Sequence, residues 1–395
     1  MTDHDVLHEV EQQSVLQCSE MQSEPPQPRN IIVCCDGTSN DVTANSTNVL
    51  RLFRSLERNE SQLAFYDSGV GTLADPTKIT RLGKYCSRMI DQGVGHSVRE
   101  NVCAGYRFLA RNYRPGDRIY MFGFSRGAYT VRALAGMIHF LGLVRPELEH
   151  LDRLAWAVHS DDYDSLGKDR FHYGNRFRRA FAVDSHVDIH FVGVWDTVSS
   201  FGAPWSPRTV PNTANNPSIR HVRHAVSIDE HRGCFQPNLF YPKDPKQHTT
   251  FKQIWFAGSH ADVGGGFPEA EAGLAKISLE WMYSEAEKAG CLINPSKKTM
   301  FLQPTATHGE TSKPDPMAIA HVSSKDWLLI YKALEWLPQR RWNQTADKMQ
   351  WFLPNVFRRR QVPEGAQLHL SVGEKIKKDA QYHPTNLPTT YSFSD

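Results

Sequence analysis

The sequence predicts an α/β fold of the α/β-hydrolase type, with a mostly parallel central sheet, helices on both faces and cap-like insertions. Three observations support this prediction. Short apolar runs of strand length alternate with helical patterns along the chain. Polar, glycine-containing loops directly follow several of these runs, as they do at the carboxyl ends of parallel strands. One run leads into Gly-Phe-Ser-Arg-Gly at 123–127, a pattern typical of the strand, sharp turn and helix of a nucleophile elbow.

Length and charge fit a large α/β domain and indicate no strongly charged partner. The 395 residues include 45 basic and 43 acidic side chains, so the formal net charge is only +2. No nucleic-acid partner is therefore expected. The seven cysteines lack paired metal-ligand spacing, and the sequence predicts neither a metal nor another cofactor. It makes no prediction about the oligomeric state.

The first 29 residues differ from the rest and are predicted to form a disordered arm. They are rich in Gln, Glu and Ser and lack the basic and apolar regions of a signal peptide. No apolar run approaches the roughly 18 residues of a membrane span. We therefore expect a cytoplasmic protein, not secreted by a classical signal peptide, with at most peripheral membrane contact.

Residues 30–395 are predicted to form a single domain. Insertions are expected at about 146–186 and 199–252, and the C-terminal part diverges from about residue 295. The spacing within the second insertion predicts one helix, over 218–228.

Ser125 is the predicted nucleophile. An apolar run at 119–122 precedes it and a helical pattern follows it, so its hydroxyl is expected at the tip of a strained turn. The glycines two residues before and after it allow strand and helix to approach closely. A serine hydroxyl is a weak nucleophile without a base, so the site also needs a histidine and an orienting acid.

The polar loop at 36–41 follows the first apolar run and has two interpretations. At the carboxyl edge of a sheet, a backbone N–H of Gly37 or Thr38 could join that of Arg126 in an oxyanion hole. Alternatively, the loop is a structural turn before a helix. Phosphatases of the haloacid-dehalogenase type also begin with such a strand and loop. However, Cys34 occupies the position of their nucleophilic aspartate, which disfavours that class.

Chain order predicts the base and the acid. Hydrolases of this fold carry serine, acid and histidine in that order. Asp262 follows the second predicted strand after the elbow, and His369 lies in the last strand-and-loop unit. The expected triad is therefore Ser125, Asp262 and His369. Asp196 and His260, which also follow predicted strands, are the alternative acid and base.

Six sequence blocks together resemble a known family. They include Asp-Gly-Thr at 36–38, Gly-Phe-Ser-Arg-Gly-Ala at 123–128, Gly-Val-Trp-Asp-Thr-Val at 193–198 and a glycine-rich block at 255–266. In this order they are similar to the catalytic domain of type VI secretion phospholipase effectors, a domain that also occurs in fungal proteins. The resemblance covers about residues 30–290. It implies an α/β-hydrolase fold and phospholipase A or related lipid-ester hydrolysis by a Ser-Asp-His triad.

The functional hypothesis is a serine hydrolase that cleaves a carboxylic ester, with phospholipase A or lysophospholipase activity preferred. A lipid or another ester would be the substrate, and triad chemistry needs no cofactor. Two alternatives stay open, namely an inactive hydrolase-fold interaction module and a thioesterase or peptidase. Aromatic residues near the three arginines at 358–360 either contact an anionic lipid surface or pack in the core beside a solvated basic loop.

Overall fold

The computed structural model describes residues 27–37, 46–69, 94–160, 170–184, 186–198, 201–203, 206–208, 210–244, 246–303, 312–321, 332, 335–336, 338–343, 348–356 and 358–395. The expected N-terminal arm, as far as residue 26, and Thr38 lie outside these ranges.

An eight-stranded sheet organises the described residues. In spatial order its strands are β12 (Tyr391–Ser394), β11 (Ala366–His369), β8 (Thr250–Phe256), β7 (Ile219–Ser227), β4 (Ile189–Trp195), β3 (Arg118–Phe124), β1 (Asn30–Cys35) and β2 (Gln62–Asp67). Every pairing of neighbours in this sheet is parallel. The loops that follow the strands therefore meet at one edge of the sheet. The prediction of a mostly parallel α/β fold is confirmed.

Helices surround the sheet, and two short antiparallel hairpins lie outside it. The helices are α1 (Asn48–Ser55), α2 (Val94–Asn112), α3 (Arg126–Leu141), α4 (Asp152–His159), α5 (Arg170–Phe181), α6 (His260–Gly264), α7 (Gly273–Lys288), α8 (Pro295–Leu302) and α9 (Leu370–Lys378). The hairpins pair β5 (Phe201–Ala203) with β6 (Ser206–Arg208) and β9 (Gln339–Asn343) with β10 (Lys348–Phe352).

The side chains of β1 alternate between two apolar layers. Ile31 and Val33 pack with residues of α2 and α3, whereas Ile32 and Cys34 pack with residues of α1 and α7. All six residues of β1 are buried, as expected for a parallel strand covered on both faces. Burying one large aliphatic side chain contributes about 1.5–3 kcal/mol, so the two layers hold the central strands firmly in place.

The prediction of a helix over 218–228 is wrong, because residues 219–227 form β7 in the interior of the sheet. Polar residues interrupt the apolar pattern expected of a buried strand, and in the structure these residues have buried partners. Arg223 forms an ion pair with Glu285 at 2.5 Å, and His224 hydrogen-bonds Gln253 at 3.0 Å. Burial lowers the pKa of His224 to about 3, so its ring is neutral within the sheet.

Close backbone packing at the turn between β3 and α3 generates a prediction. A Cβ atom added at Gly127 would lie 2.0 Å from the carbonyl oxygen of Cys35. We expect Gly127→Ala to lower the free energy of unfolding by about 3 kcal/mol or more, because β1 and α3 must separate. Chemical denaturation followed by circular dichroism measures this loss.

Gly365→Ala is the matched control. It adds a Cβ atom in open space at a φ of 72°, and should cost only about 1 kcal/mol for the strained backbone. Equal losses for the two variants would contradict the role given to packing at Gly127.

Candidate active site

Ser125 occupies the turn between β3 and α3. Its φ of 57° and ψ of −121° lie in a region that residues other than glycine rarely adopt. Its backbone N–H donates to the carbonyl oxygen of Trp195, the last residue of β4, at 3.1 Å. The residue is only 2% exposed. The strained turn therefore sits at the carboxyl edge of the sheet, between two neighbouring strands.

His260 is the imidazole beside Ser125. It is the first residue of α6, which follows β8, and its Nε2 atom lies 2.8 Å from Ser125 Oγ. The rings of Phe124 and Phe235 pack against it, with centroids at 4.6 and 4.9 Å. Burial lowers the pKa of His260 below its ordinary value, although the bond to Asp196 acts in the opposite direction. A neutral imidazole at this distance is suited to take a proton from the serine.

Asp196, the residue after β4, contacts the other side of the imidazole. Its Oδ2 atom lies 2.5 Å from His260 Nδ1, and its Oδ1 atom accepts from the backbone N–H of Ser227 at 2.9 Å. Burial by itself would raise the pKa of Asp196, but the Arg360 guanidinium and His260 hold it well below its usual range. The ionised carboxylate fixes the tautomer that leaves Nε2 facing Ser125.

Arg360 lies against the same carboxylate from the opposite side. Its side chain is fully buried, and its Nη1 and Nη2 atoms donate to Asp196 at 2.6 and 2.9 Å. Nη1 also donates to Ser227 Oγ at 2.6 Å, and Nε donates to the carbonyl oxygen of Phe235 at 3.0 Å. The interpretation of 358–360 as a solvated basic loop is therefore wrong at Arg360.

Asp262 does not take the place expected for the acid, since Asp196 does. Its carboxylate accepts from the backbone N–H of Ser259 at 2.8 Å and lies 2.7 Å from Nδ1 of His321. The bond from Ser259 belongs to a capping box at the start of α6. Asp262 thus supports the helix that begins with His260.

His369 is likewise placed differently from the expectation. It ends β11, where its Nδ1 atom accepts from the backbone N–H of Ser371 at 3.2 Å and caps α9. Its ring stacks on Phe256 at 4.7 Å, and burial lowers its pKa to about 4. Beside Ser125 the structure therefore places the alternative pair, Asp196 and His260, and not the expected pair, Asp262 and His369.

Strand β7, for which the sequence predicts a helix, accounts for the expectation that Asp262 is the acid. Chain order still runs serine, acid, histidine, through Ser125, Asp196 and His260. Without β7 in the count, β8 became the second strand after the elbow and its loop appeared to supply the acid. Recognising β7 would have made β8 the third strand. The same rule would then have pointed to the loop after β7, so chain order does not by itself select Asp196.

The expected oxyanion donors differ in their surroundings. Arg126 follows Ser125 and begins α3, so its backbone N–H belongs to a helix N-terminus. The Gly37 N–H donates to Asp36 Oδ1 at 2.7 Å, and the hydroxyl of Tyr66 donates to Asp36 Oδ2 at 2.9 Å. These bonds fit the structural-turn interpretation of the loop, so an oxyanion role for Gly37 needs its N–H to leave Asp36. Thr38 lies outside the described residues.

Two classes of feature are absent from the part of the chain that the structure describes. Within it, no group of three or more His, Cys, Asp or Glu side chains could hold a metal ion. Over the same ranges, no helix has the length and apolar character needed to cross a membrane.

The pair formed by His321 and Asp262 predicts a pH-dependent stability. Burial by itself would lower the pKa of His321, but hydrogen bonds to Asp262 and Glu271 raise it above 6.5. The stabilisation is therefore full below pH 6.5 and is lost as the pH rises through the folded-state pKa. Relative to wild type, His321→Asn should lose about 1 kcal/mol more at about pH 5.5 than at about pH 8.5.

Denaturation curves at the two pH values measure this difference. Replacement of the exposed His172 by Asn is the control and should change stability equally at both. A loss from His321→Asn that does not vary with pH would contradict the ion pair.

Comparison with known proteins agrees with this architecture. The family model described as "T6SS, Phospholipase effector Tle1-like, catalytic domain" matches residues 29–285. A relative from Saccharomyces cerevisiae, "Uncharacterized protein YEL023C", is 37% identical over 550 residues, covering 91% of this chain and 80% of the relative.

Two solved structures are similar at lower identity. One is an uncharacterized protein from Pseudomonas aeruginosa, with 18% identity, a TM-score of 0.41 and coverage of 75% of this chain and 51% of that chain. The other is the Tle1 effector bound to the VgrG spike of the type 6 secretion system, with 17% identity, a TM-score of 0.32 and coverage of 64% and 54%. This chain thus spans about half the length of those two. On the family match, which includes Ser125, Asp196 and His260, the chain belongs to the Tle1-like type VI secretion phospholipase effector catalytic domains.

Proposed function

We propose that the protein is a serine hydrolase that cleaves a carboxylic ester of a phospholipid, as a phospholipase A or a lysophospholipase. One observation supports this most directly, the hydrogen-bonded series from Ser125 Oγ through His260 to Asp196. Its members lie in a chain that belongs to a family of phospholipase catalytic domains. The arrangement matches the roles of nucleophile, base and orienting acid.

The proposed reaction begins with attack of Ser125 Oγ on the ester carbonyl carbon while His260 Nε2 takes the hydroxyl proton. The oxyanion that forms is stabilised by the backbone N–H of Arg126 at the start of α3. When the intermediate collapses, the C–O bond of the ester breaks and the departing alcohol receives the proton from His260. The products of this step are the free alcohol and an acyl group on Ser125.

Deacylation repeats these steps with water. His260 removes a proton from a water molecule, whose oxygen attacks the acyl carbon, and Ser125 Oγ then leaves with that proton. A fatty acid is released and the serine is restored. Asp196 stays ionised throughout and stabilises the imidazolium that forms twice in each cycle. Burial of the site keeps bulk water away from the imidazolium and the oxyanion. This strengthens the interaction of the imidazolium with Asp196 and that of the oxyanion with the Arg126 N–H.

Covalent labelling of the native protein tests the proposal. We expect a fluorophosphonate probe to label the wild-type chain covalently and to leave Ser125→Ala unlabelled, because the probe reacts only with an activated serine. Intact-mass spectrometry measures the labelled fraction. Ser61→Ala, at an exposed serine, should label like wild type. A folded wild-type protein that takes up no probe would favour the inactive interaction module.

A substrate panel separates the remaining enzyme alternatives. Phospholipid, lysophospholipid, thioester and peptide substrates should be compared on wild type and on Ser125→Ala. The proposal predicts Ser125-dependent release of fatty acid from the lipid substrates. A preference for the thioester or the peptide would replace it with the corresponding alternative.

Peripheral contact with a lipid surface is part of the proposal. Trp351 and Leu353 are 64% and 82% exposed and offer apolar contact area. The phospholipid should therefore be presented both as monomers and in anionic vesicles. Faster hydrolysis in vesicles is expected, and equal rates would argue against surface contact.

A further inference from the structure

We infer that Arg360 is a positioning residue of the triad, supplied by a C-terminal segment outside the residues that match the family model. The inference rests on the proposed function, because it assigns Asp196 as the acid of the reaction. The match to the family model ends at residue 285, whereas the segment 358–360, which we call the strap, lies after β10 in the sequence. The site is thus completed by a part of the chain that lies outside the residues matched by the family model.

The guanidinium of Arg360 holds Asp196 in a fixed plane. Two parallel bonds join Nη1 to Oδ1 and Nη2 to Oδ2, at 2.6 and 2.9 Å. Such bidentate pairing fixes the rotation of the carboxylate as well as its position. Since Oδ2 is also the atom that faces His260 Nδ1, the pairing sets the direction in which the imidazole is held. A lysine ammonium in the same place would keep the charge but lose this orientation.

The strap is anchored to the loop that lies beside the base. The backbone N–H of Arg360 donates to the carbonyl oxygen of Glu230 at 3.3 Å, and Arg359 pairs with Asp229 at 3.1 Å. The side chain of Glu230 in turn accepts from the backbone N–H of His260 at 3.3 Å. The loop that contains Glu230 therefore binds both the strap and the backbone of His260. Arg360 reaches the triad from a segment that is attached to this loop.

The charges around His260 determine how the loss of Arg360 would act. They are Asp196, Glu230, Arg232 and Arg360, with Glu230 paired to Arg232 at 2.6 Å. Arg360 offsets part of the Asp196 charge, so less of it is left to stabilise the imidazolium. Removing the cation should leave His260 more basic, and the acidic limb of the pH profile should move to higher pH. Loss of orientation should slow the reaction at every pH.

The experiment uses the full chain and measures the second-order rate of fluorophosphonate labelling across pH. For Arg360→Gln we expect labelling about 100-fold slower, with the midpoint of the acidic limb about one pH unit higher. For Arg360→Lys we expect labelling about 10-fold slower with an unchanged midpoint, because the charge is kept and the bidentate geometry is lost.

Arg223→Gln is the matched control, since it breaks a different buried ion pair, between Arg223 of β7 and Glu285 of α7. It should lower the thermal stability and leave the rate and the midpoint unchanged.

Wild-type rate and midpoint in folded Arg360→Gln would overturn the inference and assign Arg360 a structural role only. Should that variant fail to fold, Arg360→Lys decides, because a wild-type rate in this variant would also overturn the inference. Failure of the proposed function is distinct, since the wild-type chain itself would then take up no probe.

Discussion

The site depends on the hydrogen bonds and the ion pair that compensate the buried charge of the Asp196 carboxylate. Removing a carboxylate from water costs several kcal/mol unless hydrogen bonds and an opposite charge compensate for it. Here the compensation comes from Ser227 at the end of β7, His260 at the start of α6 and Arg360 in the strap. One charge therefore joins segments that are far apart in the sequence. The orientation of the imidazole depends on this balance as much as on the turn at Ser125.

The parallel sheet brings these segments together. Asp196 follows β4, Ser125 follows β3 and His260 follows the loop after β8, all at the same edge. The strained backbone of Ser125 persists because the surrounding structure is closely packed, with Gly127 against the carbonyl oxygen of Cys35. Two apolar layers hold the strands, so local strain at the turn is balanced by burial across the whole sheet.

The sequence was sufficient for the fold class, for the family and for the turn at Ser125, because apolar periodicity and glycine spacing are local signals. It failed where polar residues are buried with distant partners. Arg223 and His224 make β7 resemble a surface helix, and omission of this strand from the count moved the expected acid to Asp262. Arg360 has no local signal, since a run of three arginines is typical of a solvated loop. Only the tertiary contacts reveal its buried partner.

We propose that His260, held by Asp196, acts as the base for Ser125. The most direct measurement compares kcat/KM for a phospholipid ester in His260→Gln and His369→Gln. The claim predicts a loss of about 10⁴-fold or more for His260→Gln, as for removal of a triad member, and near wild-type activity for folded His369→Gln. Full activity in His260→Gln, or a comparable loss confined to His369→Gln, would contradict it.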